Sequence, residues 1–107
     1  MKEYSKPELE LLFNSDDTQI VTDAILYSTF NIDDYEWIQE KCLQLLNNSD
    51  EDIAGLAITC LGHIARIYSK INESKVIPAL QQKATYPCFA GRVEDALDDI
   101  NMFALKE

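Results

Sequence analysis

Residues 50–69 read DEDIAGLAITCLGHIARIYS, and the spacing of their apolar side chains decides the fold. Ile53, Leu56, Ala57, Cys60, Leu61, Ile64 and Ile67 recur three and four positions apart. A helix gathers such residues on one stripe, whereas a strand would scatter them over both faces. The ends agree with a helix. Ser49 followed three residues later by Asp52 comes close to a capping box with the shorter acid. Asp50 and Glu51 suit the positive end of the helix dipole, and Arg66 and Lys70 its negative end.

Working outward, residues 33–47 place Ile38, Cys42, Leu45 and Leu46 on one stripe, with Tyr35 at its edge and Asp33 or Asp34 as the cap. The link Asn47-Asn48-Ser49 is so short that the two helices must fold back as an antiparallel hairpin. Residues 17–30 predict a further helix with Ile20, Val21, Ala24 and Tyr27 inward, Ile25 and Leu26 widening its apolar face, and a short turn at 7–13 before it. Downstream, residues 76–83 carry Val76, Ile77 and Leu80, with Pro78 either kinking the helix or marking its first turn. A break at Tyr86-Pro87 leads to a last helix over 91–105, with Val93, Ala96, Leu97, Ile100 and Phe103 inward. With only three glycines and three prolines, and no alternating β-branched run, a sheet is disfavoured. The expectation is an all-α single domain over residues 1–107, with five to six helices stacked as antiparallel hairpins at roughly 5–30, 33–70 and 73–106.

Composition narrows the function. An apolar content of 47% is enough for a real core and unlike that of a disordered chain. Nineteen acids against nine bases give a formal charge of −10, a surface that repels phosphate backbones and anionic membranes. Nucleic acid and membrane are therefore not expected as direct partners, and a basic protein is. The charge is banded: residues 15–52 hold ten acids and only Lys41, residues 53–92 hold Glu73 against five bases, and Glu94, Asp95, Asp98 and Asp99 follow. Cys42, Cys60 and Cys88 cannot all pair within one chain and lack a close metal-type spacing, which fits a reducing compartment. No apolar run approaches the roughly 20 residues a membrane helix needs, and MKEYSKPELE lacks the apolar core of a signal peptide. A cytoplasmic protein is expected.

Reactive groups are few. His63 is the only histidine and stands three residues from Cys60, but two ligands fall short of a zinc site, and a thiol on the inward stripe behaves as a small hydrophobe. Gly55 and Gly62 lie within a helix and form no phosphate loop. No catalytic residue, cofactor or metal is expected.

The middle hairpin carries a family pattern. Its run of Leu45-Leu46, Asp50, Ile53, Ala57 and Leu61-Gly62 resembles the HEAT repeat, including its bacterial lyase-like variants. In that pattern paired leucines end a first helix, an acidic turn follows, and the second helix opens on a β-branched residue with alanine four positions on. Ala54 stands where the pattern usually has arginine. The outer hairpins match through Ile20 with Ala24 and through Val93 with Ala96-Leu97. From Ile20 to Ile53 is 33 residues and from Ile53 to Val93 is 40, within the roughly 33–47 of such arrays. The whole chain is similar to small HEAT-like bacterial proteins, some of which resemble immunity proteins of contact-dependent growth inhibition systems. That resemblance implies an α-α superhelix with its second helices side by side. It also implies a non-catalytic protein, monomeric when free, that binds and neutralises a basic toxin such as a nuclease domain. A scaffold or adaptor binding a peptide or protein complex is the alternative.

Two patches are candidates for contact with a partner. Gly55, Thr59, Gly62 and Arg66 form an outward ridge on the middle helix, and Asp95, Asp98, Asp99 and Met102 one on the last. Together they predict a groove with a floor of small residues and acidic walls, unless the glycines serve only to admit a neighbouring helix. The second patch is Trp37 with Asp33, Asp34 and Glu36. There the indole either packs on an adjacent hairpin or anchors an interface.

Overall fold

Six helices make up the protein in a computed structural model that describes residues 3–105: α1 (Lys6–Phe13), α2 (Thr18–Asn31), α3 (Tyr35–Leu45), α4 (Glu51–Tyr68), α5 (Glu73–Lys83) and α6 (Pro87–Phe103). No strand occurs among the described residues. The all-α expectation holds. The expected last hairpin runs to residue 106, which lies outside the described residues.

Capping explains most boundaries. Ser5 and Glu8 form a reciprocal capping box ahead of α1. Asp17, Asp34, Asp50 and Asn72 each accept a backbone N–H at the start of α2, α3, α4 and α5. Asp50, not Ser49, therefore caps α4. Its carboxyl is held below the usual range first by the Thr18 hydroxyl, which donates to it, and then by the N–H groups of Asp52 and Ile53. Asn72 starts α5 at Glu73, upstream of the expected residue 76, so Pro78 lies inside the helix beyond its first turn. Pro87 opens α6 where a break was expected, because its fixed φ and missing N–H suit a first turn.

The helices pair as three hairpins: α1 with α2, α3 with α4, and α5 with α6. The second helices also touch in the order α2, α4, α6. A short axis of 20 Å, against 34 and 30 Å for the others, fits two layers of helices roughly 8–10 Å apart. Neighbouring second helices run parallel. Between α2 and α4, Thr18 bonds Asp50 at one end, and the Phe30 and His63 rings lie 5.7 Å apart at the other. Between α4 and α6, Arg92 reaches Gly55 O at one end, and Leu105 N donates to Ser69 O at 2.9 Å beyond the other. The first register is a shift of 32 residues, close to the expected 33. The second, read where the Ala96 backbone lies against Gly62, is 34, so Val93 is not the counterpart of Ile53 and Arg92 reaches back along α4 to Gly55.

The core surrounds α4. Ile53, Ala54, Ala57, Ile58, Cys60, Leu61, Ile64 and Ala65 are all buried, and together they go well beyond one stripe. The reason is position: α2 and α6 flank α4 while α3 backs it. In α2 the inward residues are Val21, Ala24, Ile25, Ser28 and Thr29, whereas Ile20 is 40% exposed and Tyr27 half-buried. Ser28 and Thr29 can be buried because their hydroxyls donate to Ala24 O at 2.8 Å and Ile25 O at 2.9 Å. Buried Gln39 accepts Asn72 N at 2.6 Å, tying α3 to the link before α5. Tyr68 donates to Ile32 O at 2.6 Å, tying α4 to the link before α3.

Candidate protein-binding faces

The two layers carry charge differently. Three ion pairs join described residues, and all of them stitch the first helices together: Lys6 to Asp34 at 2.5 Å, Lys41 to Glu10 at 2.6 Å and Lys75 to Glu40 at 3.2 Å. Lys41 holds the Glu10 carboxyl low, and Lys6, ahead of the Trp37 N–H, does the same for Asp34. Trp37 lies in this zipper. Its ring is half-buried 6.1 Å from Phe13, with the Lys6 and Lys41 ammonium groups each 5.6 Å from its centre. The indole packs on the adjacent hairpin through α1. Asp33 and Glu36 beside it remain exposed, and Asp34 is spent on its cap and its lysine.

On the second-helix layer, five of the expected residues come together. Thr59, Arg66, Asp95, Asp98 and Asp99 line a shallow depression of about 360 Å³ between α4 and α6, joined by His63, Arg92 and Ala96. Its floor differs from the one expected. Gly55 and Gly62 are buried beneath α6: the Arg92 side chain covers Gly55, donating to Gly55 O at 3.3 Å and Thr59 Oγ1 at 2.8 Å, and Ala96 lies against Gly62. The glycines admit the neighbouring helix, and the open surface begins above them. Asp95 and Asp98 are exposed and Asp99 half-buried, and none of the three forms an ion pair with a described residue. Met102 is 73% exposed one turn beyond Asp98 and Asp99.

The sequence did not point to Phe30, Phe103 or Arg92 as site residues. Phe30 is 57% exposed against His63, and Phe103, expected inward, is 37% exposed with the Arg66 guanidinium 5.7 Å from its ring centre. A helical wheel of α2 centred on Val21 and Ile25 would have turned Phe30 outward. Among the described residues, no group of three or more His, Cys, Asp or Glu is placed to hold a metal ion. No helix there is long and apolar enough to cross a membrane.

Cys60 and His63 lie in different surroundings. The thiol is wholly buried and burial pushes its pKa up, as it does more strongly for Cys42, while His63 turns out against Phe30. Cys88 alone of the three is exposed. A thiol reagent should label Cys88 in the native protein and all three cysteines in denaturant. Cys42 and Cys60 should react slower by roughly three orders of magnitude or more, since access requires opening a core worth about 5 kcal/mol. Rapid native labelling of Cys60, read by mass spectrometry, would contradict this packing.

The fold and these surfaces define an all-α stack of three hairpins whose second-helix layer is left uncovered. A solved structure is similar in fold. A chain of the CDI complex from Cupriavidus taiwanensis LMG 19424 is similar to this one with a TM-score of 0.86 and 24% identity, over 97% of this chain and 94% of that chain. No family model matches this sequence, and no curated protein matches it significantly.

Proposed function

We propose that this chain is the immunity component of a bacterial toxin–immunity pair of the contact-dependent growth inhibition kind, a non-catalytic cytoplasmic protein that binds a toxin domain and blocks it. The observation that carries the reading is the likeness, over nearly the full length, to a chain of a CDI complex. Charge supports placing this chain on the inhibitor side. A toxin that cuts a nucleic acid must hold phosphates with Lys and Arg, and a chain of charge −10 is drawn to that same surface. We read the three hairpins as HEAT-like, with side-by-side second helices as the display surface.

The test begins with the genes beside this one, among which the reading expects a toxin domain. Cells making the chain should survive production of that domain, and the purified proteins should form a complex. Association should reach about 10⁸ M⁻¹s⁻¹ at low salt and slow by roughly ten-fold or more at high salt, as steered encounters do. Toxicity that persists in the presence of the chain would overturn the reading, and a rate indifferent to salt would overturn the role given to charge.

A further inference from the structure

We infer that the outer side of the α2–α4–α6 layer, centred on the depression between α4 and α6, is the docking face for a partner surface that sets Lys or Arg beside an apolar side chain. Only the identity of the partner rests on the proposed function. The face itself stands on two asymmetries between the layers.

The first is apolar exposure. The second helices expose Phe30, Ile67, Met102 and Phe103 at 57, 45, 73 and 37%, whereas Leu11 is the one large hydrophobic exposed on the first helices among the described residues. Phe30 meets the His63 ring, His63 and Arg66 line the depression, and Arg66 reaches Phe103, so the apolar positions flank one continuous surface. Large apolar side chains grouped on one face and rimmed by polar groups mark contact sites.

The second asymmetry is available charge. The ion pairs neutralise acids on the first-helix layer, whereas Asp95, Asp98 and Asp99 form none with a described residue. Arg92 does not supply it, since its guanidinium donates to Thr59 and Gly55 O instead. An incoming cation thus finds three carboxylates at the edge of a depression, with aromatic surface alongside for its stem. Complementarity of charge selects this occupant over a second copy of the chain, which would set the same carboxylates against each other.

Two probes test the face. Nona-arginine titrated into the labelled protein at low salt should shift amide resonances around Phe30, His63, Arg66 and residues 95–103. Shifts spread evenly, or confined to α1, α3 and α5, would overturn the inference. With the toxin domain expected among the neighbouring genes, joint replacement of Asp95, Asp98 and Asp99 by lysine should weaken binding roughly 100-fold or more. Phe30→Ser with Met102→Glu should weaken it at unchanged net helix content. Asp33→Lys with Glu36→Lys, on the other layer, should change affinity about two-fold at most beyond the loss of long-range steering. Equal loss from both layers, or greater loss from the second pair, would overturn the face. If nona-arginine maps as expected while the toxin domain does not bind the parent protein, the face stands and the toxin reading falls.

Discussion

Truncating Leu61 to alanine should lower stability by about 2–5 kcal/mol and the melting temperature by on the order of 10–20 °C. Leu61 is wholly buried midway along α4, the helix that α2, α3 and α6 all touch. A cavity there weakens the joints on both sides of the middle hairpin at once. In a stack of hairpins, stability comes from each unit and its nearest neighbours, and a lone hairpin cannot bury its apolar face. The outer hairpins each have one neighbour, so neither should outlast the middle one. The variant should therefore melt in a single transition. Trp37 fluorescence, which reports the α1–α3 contact, and far-UV dichroism, which reports all six helices, should give coincident curves. Ile67→Ala on the same helix removes a side chain that is 45% exposed and should cost about 1 kcal/mol or less. Equal losses at the two positions would mean that α4 is not the centre of the core.

That centrality was only half legible in the sequence. The three-and-four spacing of residues 53–67 established α4 as a helix and placed Ile53, Ala57, Cys60, Leu61 and Ile64 inward correctly, but Leu56 is only half-buried and Ile67, at the end of the stripe, is 45% exposed. Spacing reports contrast between faces, however, and α4 has little: Ala54, Ile58 and Ala65, off the expected stripe, are buried as well. Gly55 and Gly62 looked outward for the same reason, since a glycine beneath a neighbouring helix and one under solvent read alike. In α2 the inward face includes Ser28 and Thr29, whose hydroxyls are satisfied by their own helix, so counting apolar residues rotated the stripe toward Ile20. Pro87 misled, since it opens a helix where a break was expected, while Pro78 lies within its helix rather than in the first turn, one of the two places left open for it. For the site, Thr59, Arg66, Asp95, Asp98 and Asp99 do gather in one depression because the helical register is periodic and the hairpin order is simple. The zipper that covers Trp37 was not legible, because Lys6, Glu10 and Lys41 meet only across separate helices.

Replacing Gly62 with valine should cost about 1–3 kcal/mol even though valine tolerates helix better than glycine. A Cβ at this position would lie 3.0 Å from Ala96 Cα and 3.0 Å from Asp99 Oδ2. The first of these is backbone and cannot step aside, so α6 must move off α4. Gly55→Ala separates this effect from the mere loss of a glycine. Its Cβ would meet Arg92 Nε at 3.0 Å and Cδ at 3.2 Å, near the far end of a flexible side chain that can swing away. Gly55→Ala should thus stay within about 1 kcal/mol of the parent, helped by alanine's helix propensity. The displacement also reaches the surface, because Asp95, Asp98, Asp99, Met102 and Phe103 all ride on α6 while His63 and Arg66 stay on α4. Shifting one helix on the other alters the spacing of carboxylates and rings across the depression. At a temperature where the variant remains folded, Gly62→Val should therefore shift the amides of residues 95–103 and weaken partner binding, while Gly55→Ala leaves both near the parent. A Gly62→Val protein with parental stability would show that α4 and α6 are not in backbone contact at Ala96.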